Sequence, residues 1–298
     1  MRPKSLPSAG KNRPGRLRLE SLESRLCLSV SVSSLAVQGG RELRIVGNAA
    51  ADTINITDQG NGHIDVTNAT GALLGSADNV KLIQVDGKGG KDVVNYTLAN
   101  TLTKTEKVIL DLGDGADQAN IDLTKGVNGA NLRLEVDGGD GADTIAVSLG
   151  SLSAAKAHVT LVGGAGADNI TVNGTDANVD ATSLLALSLQ GGAGADTLTS
   201  NLNGQVLGKL NFNALGNKGI DTLLANISAD SGSTGTVRAV ERGNKGVDNV
   251  TLNVNDNSGG LDGVSTLAAL HAKIFDIGAI DDLTHTDNVE VITAKKTA

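Results

Sequence analysis

An aspartate returns at a nearly constant interval, each time at the end of a glycine-rich turn. The interval is 40 residues at first and then 25, 26, 25, 28, 25 and 27 residues. A period of this size is typical of a stacked repeat architecture, in which each repeat packs on its two neighbours. The period therefore constrains the fold more than any other feature of the chain. The aspartates are Asp52, Asp92, Asp117, Asp143, Asp168, Asp196, Asp221 and Asp248.

Apolar and polar residues alternate on both sides of each turn. Leu134 and Val136 precede one turn, and Ile145 follows its aspartate by two positions. Alternation with a period of two over a short run indicates a β-strand with one buried face. Each repeat is predicted to consist of a strand, a tight turn, a second strand and a link of about ten residues.

Two arrangements fit this unit: a parallel solenoid with one coil per repeat, or a series of antiparallel hairpins. Identical turns in every copy favour the solenoid, because equivalent residues then stack in ladders. The fold class is predicted to be all-β, a right-handed parallel β-solenoid or β-helix of about eight coils of about 26 residues. We expect an elongated body over about residues 35–255, with the glycine turns aligned along one edge.

The composition agrees with a narrow repetitive β protein. The chain has 39 glycines, three prolines and three aromatic residues, which are Tyr96, Phe212 and Phe275. Compact globular cores normally take a large share of their buried area from aromatic side chains. Columns of Val, Ile and Leu can fill a narrow solenoid without them.

The charge distribution separates an N-terminal segment from the body. Residues 1–29 hold seven of the 25 basic residues, and the remainder has 18 basic and 31 acidic residues, a net charge of −13. An acidic body of this kind argues against nucleic-acid binding, which needs a basic surface. No stretch approaches the about 18 consecutive apolar residues of a spanning helix, so no transmembrane segment is predicted.

The predicted domains are a basic targeting segment at residues 1–29, a solenoid domain at 30–254 and a C-terminal cap or tail at 255–298. The cap is expected because an uncovered end coil exposes a sheet edge. Apolar residues have helical spacing between Ser265 and Ile274. Residues 30–80 are predicted to form an irregular first coil.

The end of the basic segment contains Leu22-Glu23-Ser24-Arg25-Leu26-Cys27-Leu28. This string resembles the N-terminal motif Leu-Glu-x-Arg-x-Leu-Leu found on many large exported proteins of planctomycete bacteria, with Cys27 in place of a leucine. The resemblance implies a secreted, extracellular or cell-surface protein. The alternative is a disordered basic tail. Because Cys27 is the only cysteine, an intramolecular disulfide and a thiolate metal cluster are both excluded.

The most regular turns lie at residues 138–146, 163–171 and 191–199. They resemble the nonapeptide Gly-Gly-x-Gly-x-Asp-x-apolar-x of the hemolysin-type, or repeats-in-toxin, calcium-binding family. The resemblance implies Ca²⁺ between neighbouring coils, bound by aspartate carboxylates and turn carbonyls. The implied metal ligands are Asp117, Gly139, Asp140, Gly141, Asp143, Gly164, Gly166, Asp168, Gly192, Gly194 and Asp196.

The chain departs from that family in two ways. It has one turn per repeat of about 26 residues, whereas the family has tandem turns in shorter coils. Several turns also carry lysine, including those that end at Asp92, Asp221 and Asp248. Such a lysine could replace a cation beside the stacked carboxylates. Calcium is therefore expected mainly between residues 112 and 196. The metal-free alternative is that each aspartate bonds backbone amides of its own turn.

The sequence lacks a Gly-x-Ser-x-Gly elbow and a phosphate-binding loop, and its four histidines are scattered. We therefore expect no enzymatic activity. The predicted function is that of a non-catalytic, calcium-binding structural or adhesive protein, with cell-surface or matrix components as partners. The alternatives are a metal-free structural β-helix and a polysaccharide-active β-helix enzyme.

Overall fold

The computed structural model describes residues 30–246, 248–256, 269–276, 282–287 and 292–296. The described residues form β-strands and the turns between them. In chain order the strands are β1 (Ser31–Val37), β2 (Gly40–Val46), β3 (Thr53–Asp58), β4 (Ile64–Thr67), β5 (Leu73–Ala77), β6 (Val80–Asp86), β7 (Gly89–Gly90), β8 (Val93–Leu98), β9 (Glu106–Asp111), β10 (Asp114–Gly115), β11 (Gln118–Leu123), β12 (Val127–Asn128), β13 (Asn131–Asp140), β14 (Thr144–Leu149), β15 (Leu152–Ser153), β16 (Lys156–Ala165), β17 (Asn169–Gly174), β18 (Leu184–Ala193), β19 (Thr197–Gly204), β20 (Lys209–Lys218), β21 (Thr222–Ala229), β22 (Thr236–Lys245), β23 (Asn249–Asp256), β24 (Ala269–Asp276), β25 (Asp282–Asp287) and β26 (Ile292–Lys296).

These strands form a parallel β-solenoid of about seven turns, about 26 residues apart. Sheet A has the strand order β1-β2-β6-β9-β13-β16-β18-β20-β22-β24-β26, and sheet B has the order β25-β23-β21-β19-β17-β14-β11-β8-β3-β4-β5. Each coil adds one strand to each sheet. The strands that flank Asp143, β13 and β14, lie in different sheets, and each pairs in parallel with its neighbours. The predicted parallel solenoid is confirmed, and the hairpin alternative is wrong.

The interior is filled by columns of apolar side chains, one from each coil. On sheet A, Leu110, Val136 and Leu161 follow one another in register and are buried. On sheet B, Ile145 and Ile170 occupy one such column. Burial of apolar surface contributes about 25 cal/mol per Å², so each added coil extends a continuous core. Period-two alternation therefore predicted the inward faces correctly.

The link between the sheets forms a third side of each coil. The short strands β12 and β15 pair in parallel there, and isolated bridges continue the stack. The buried residues of this side are Leu102, Val127, Leu152, Val179 and Val206. Their spacings are 25, 25, 27 and 27 residues, so they follow the period of the aspartates. The sequence pattern predicted this segment only as a link, so the third column was not predicted.

The N-terminal end is irregular, as predicted for residues 30–80. Strand β1 pairs with β2 in antiparallel orientation, and β3, β4 and β5 form an antiparallel meander. This meander lies within the long first interval of the repeat. The antiparallel strands β1 and β5 therefore lie at the outermost positions of the two sheets at this end.

At the other end, the helical spacing near residues 265–274 does not produce a helix in the described residues. Ala269–Asp276 is strand β24 and pairs in parallel with β22, while β25 and β26 extend the two sheets further. Pairing with a preceding strand favours extended backbone over the local helical preference. The predicted targeting segment at residues 1–29 lies outside the described residues. The domain boundaries after residues 29 and 254 stay predictions.

Candidate functional site: the aspartate row

The eight repeated aspartates stack in one column inside the solenoid, which we call the aspartate row. All eight side chains are buried, with at most 3% exposure. Each aspartate closes the turn that leads from a sheet A strand to a sheet B strand, as Asp168 does between β16 and β17. The turn positions are numbered one to six, with the aspartate at position six. The sequence therefore correctly grouped these residues.

Neighbouring aspartates are joined by a hydrogen bond between coils. The backbone N–H of one aspartate donates to Oδ1 of the aspartate in the next coil. This bond satisfies a buried amide, and an ionised acceptor makes it stronger than a neutral hydrogen bond. The N–Oδ1 distances are 2.7 Å for Asp52 to Asp92, 2.6 Å for Asp92 to Asp117, 2.7 Å for Asp117 to Asp143, 2.8 Å for Asp143 to Asp168, 2.9 Å for Asp168 to Asp196, 3.0 Å for Asp196 to Asp221 and 2.9 Å for Asp221 to Asp248.

The metal-free alternative was therefore correct that backbone amides are the partners. Its bond within one turn is present at Asp52, which accepts the amide of Asn48, but from Asp92 onward an amide of the preceding coil is the partner. Asp168 accepts the amide of Asp143, which lies 25 residues earlier in the chain. The bond predicted from the sequence lay within one turn. The observed bond joins two coils, so the row links successive repeats.

The second carboxylate oxygen lies beside the first glycine of its own turn. A Cβ atom on Gly163 would lie 2.5 Å from Asp168 Oδ2, and one on Gly191 would lie 2.5 Å from Asp196 Oδ2. Glycine at position one therefore leaves space for the carboxylate. Within the described residues, Oδ2 has no hydrogen-bond partner in Asp92, Asp117, Asp143, Asp168, Asp196 and Asp221.

Burial changes the acidity of the row. It raises the pKa of Asp92, Asp143 and Asp221 to about 6, and the donated backbone N–H opposes this rise in each case. Neighbouring carboxylates of the row raise these three pKa values further. Burial also raises the pKa of Asp168 and Asp196. The ionised form is disfavoured because it is removed from water.

The glycine at position four is required by the stacking of the coils. A Cβ atom on Gly166 would lie 1.5 Å from the carbonyl oxygen of Gly141, and one on Gly194 would lie 1.5 Å from that of Gly166. These glycines also have φ values of 145° and 151°, which side chains disfavour. Close contact between coils thus explains the glycine pattern even in the absence of an ion.

The structure brings together most of the residues that the calcium resemblance implies. Asp117, Asp143, Asp168 and Asp196 belong to the row, and the glycines of the turns stack beside them. Asp140 is separate, because its side chain is exposed. Its backbone N–H donates to the carbonyl oxygen of Gly113 at 3.0 Å.

The donor set matches a calcium site in part. The unpaired Oδ2 atoms are hard oxygen donors, which calcium prefers. Calcium normally takes about six to eight oxygen ligands, whereas each turn contributes one carboxylate, whose Oδ1 already accepts an amide. No three His, Cys, Asp or Glu side chains among the described residues are grouped to hold a metal ion. Calcium binding stays a prediction.

The turn lysines do not take the place of a cation beside the row. Lys88 forms an ion pair with Asp86, with 2.6 Å between Nζ and Oδ2. Lys218 and Lys245 are exposed. The lysines of these turns therefore do not stabilise the buried carboxylates, which are stabilised by the backbone amides.

Two buried glutamates lie outside the row and were missed in the sequence. Glu106 lies beside Asp58, whose Oδ2 accepts the Tyr96 hydroxyl at 2.6 Å. Burial, followed by the nearby Asp58, raises the pKa of Glu106. Glu241 is fully buried in the sheet A column of Leu189 and Ala214. For Glu241, the signal in the sequence was a glutamate at a position that is apolar in the preceding repeats.

Comparison with known proteins gives no family for this chain. No protein-family model, curated protein or solved structure matches it. Among the described residues, no helix is long and apolar enough to cross a membrane. The geometry of the molecule is therefore the basis for assigning a function.

Proposed function

We propose that this chain is a non-catalytic structural protein, secreted or held at the cell surface, whose solenoid is stabilised by the aspartate row. The observation that carries the proposal is the series of amide-to-carboxylate bonds at 2.6–3.0 Å between successive coils. Each bond stabilises the stacking of one coil on the next. The row thus supports an extended, regular body, which suits a spacer or an adhesive module.

The burial and repetition of the acidic groups favour a structural role over catalysis. Catalytic acids and bases must come within hydrogen-bond reach of a substrate, but the row carboxylates are at most 3% exposed. An active site is also normally built once. A polysaccharide-active enzyme is the less supported alternative, because Tyr96 and Phe212 are buried in the core and provide no sugar-binding platform.

Calcium is a second candidate, favoured by the unpaired Oδ2 atoms in successive coils. Strands are spaced about 4.8 Å apart, and two charges at about this distance repel by about 1 kcal/mol in water and several times more when shielded from it. A cation between the coils would relieve this repulsion. Asp117, Asp143, Asp168 and Asp196, with the adjacent turn carbonyls, are the residues that would hold it.

Thermal unfolding in millimolar calcium and in chelator separates the two candidates. If the row is metal-free, the Tm and the circular dichroism spectrum should be the same in calcium and in chelator. Magnesium is the control for ionic strength. If the row binds calcium, the Tm should be higher in calcium than in chelator. A ligand that binds the folded state alone stabilises it by about 2.7 kcal/mol at a hundredfold excess over Kd. Asp168→Ala should then remove most of the calcium effect, whereas Asp248→Ala should remove little of it.

The proposed location rests on the N-terminal motif and is tested by cell fractionation. We expect the solenoid in the extracellular or surface fraction, with residues 1–29 shortened or absent. Recovery of the full-length chain in the cytosol alone would contradict the proposed location. That result would leave the structural role of the aspartate row unaffected.

A further inference from the structure

The outer faces of the two sheets differ in charge. On each sheet, the outward-facing positions of eight parallel strands line up in three columns. The sheet B columns start at Thr53, Asn55 and Thr57. The sheet A columns start at Glu42, Arg44 and Val46. Of the 24 sheet B positions, 18 are Thr or Asn and one, Asp122, is charged. Of the 24 sheet A positions, ten are charged. Sheet B therefore presents a neutral face on an acidic protein.

Side-chain amides on this face are held in fixed orientations. Asn120 Nδ2 donates to Asn95 Oδ1 at 2.7 Å, and Asn226 Nδ2 donates to Asn201 Oδ1 at 2.8 Å. A side-chain amide has two N–H donors and an oxygen with two lone pairs. The ladder uses one donor and one lone pair of an internal amide such as Asn95, which leaves polar capacity for a ligand. Groups that are already oriented lose less entropy when they bind.

The face also repeats along the solenoid axis. Equivalent Thr and Asn side chains recur at the strand spacing of about 4.8 Å. Eight strands and five residues per strand give an area of about 38 Å by about 17 Å, or about 650 Å². A protein interface of this size normally has an apolar, aromatic-rich centre, which these Thr and Asn columns lack. A repeating, uncharged ligand rich in hydroxyl groups matches the face better.

We propose that the outer face of sheet B binds the ordered surface of a neutral polysaccharide. This inference rests on the proposed adhesive role and names its partner class. The hydroxyl groups of an uncharged sugar lattice can donate to the Asn and Thr oxygens and accept from the amide N–H groups. An anionic polysaccharide gains no ion pair on this face and is repelled by the acidic body. Because aromatic side chains are absent from these columns, hydrogen bonds must supply the recognition.

The test is retention of the full chain on insoluble cellulose and chitin, with an alginate gel as the anionic control. We expect retention on at least one neutral solid and none on alginate. The retention should persist in 1 M salt, because no ion pairs are involved and salt screens only charge interactions.

A matched pair of double variants locates the surface. Thr171→Lys with Thr199→Lys places two charges on neighbouring strands of sheet B, and Thr160→Lys with Ser188→Lys does the same on sheet A. All four residues are half-buried. The sheet B variant should lower retention by about tenfold or more, because it places ammonium groups against a ligand that cannot pair with them. The sheet A variant should bind like the wild type, and circular dichroism should confirm that both are folded.

The inference is overturned if no neutral solid retains the protein, if both double variants lose binding equally, or if salt releases the protein. Retention on ice without retention on a polysaccharide would assign the face to ordered water and also overturn it. Failure here is distinct from failure of the proposed structural function. Loss of stability in an aspartate-row variant tests that function without any polysaccharide.

Discussion

The aspartate row and the two buried glutamates outside it, Glu106 and Glu241, differ in the hydrogen bonds that their carboxyl groups accept. In the row, Oδ1 of each aspartate from Asp92 onward accepts an amide of the preceding coil. Neither carboxyl oxygen of Glu241 has a hydrogen-bond partner among the described residues, and Glu106 has only the neighbouring Asp58 carboxyl group beside it. A buried acid that recurs in every coil finds its partner in the next copy. Glu241 occurs once in its column and has no amide of a neighbouring coil as a partner.

The protonation of the two groups follows from this difference. Burial raises the pKa of Glu241 well above its usual range, and no donated bond opposes the rise. In the row, the backbone amides lower the pKa that burial raises. The neutral form is therefore favoured more strongly in Glu241 than in Asp92, whose pKa is raised to about 6. The amides donated between coils thus favour the charged form of the row carboxylates.

Removing one member of the row should have the largest effect. Asp168→Ala leaves the buried amide of Asp143 without its acceptor, and we expect the free energy of unfolding to fall by about 3 kcal/mol. Chemical denaturation measures the change. Asp168→Asn retains an acceptor oxygen and should lose clearly less. If Asp168→Ala unfolds like the wild type, the bonds between coils contribute little.

Replacing the isolated glutamate should have the opposite sign. Glu241→Leu restores the residue type of Leu189 in the same column, and we expect a gain of about 1–2 kcal/mol at pH 7. The control is Glu135→Leu on the outer face, which removes ion pairs with Lys107 and Arg133 and should cost less than about 1 kcal/mol. A loss of stability in Glu241→Leu would mean that this carboxyl group has a partner that stabilises it.

The first member of the row should matter less than an internal one. The Asp52 carboxylate accepts the amide of Asn48 in its own turn at 3.0 Å, and its own amide donates to Asp92. Asp52→Ala therefore breaks a local turn bond and leaves every amide of the row paired. We expect a loss of about 1 kcal/mol. Equal losses in Asp52→Ala and Asp168→Ala would show that bonds within a turn, not between coils, dominate.

Each of three members of the row should make a small contribution to a pH dependence of the melting temperature. A carboxyl group with a raised pKa in the folded state stabilises the fold when protonated, and this contribution is lost as pH rises through the folded pKa. For Asp92, Asp143 and Asp221 that pKa is about 6. Each of these groups favours folding by about 1 kcal/mol more at pH 5 than at pH 7, so the Tm should rise by about 2–4 °C for each group. Asp122 has a lowered pKa, so its contribution is lost only below its ordinary pKa and does not change over this interval. A Tm that falls over this interval would contradict the expectation.

The fold was largely predictable because the same local pattern recurs in each coil. Alternation around residues such as Val136 and Ile145 defined the inward faces, and the period indicated that the coils stack. The bond from Asp143 to Asp168 was not predictable, because it depends on side-chain orientation between residues 25 positions apart. The strand at Ala269–Asp276 was missed because pairing with β22 outweighs local helical spacing.

The third side of the coil has a consequence for how this protein can change in length. The interval from Asp143 to Asp168 is 25 residues and the next is 28, yet the strands of both sheets keep the same register. The connection from β14 to β16 has six residues, 150–155, and that from β17 to β18 has nine, 175–183. All three extra residues therefore lie on the third side. A duplicated gene segment of one coil would bring its own amide donor and its own acceptor into the row. The gene can thus gain or lose whole coils, or a few residues at this side, while the hydrogen bonds between aspartates remain continuous.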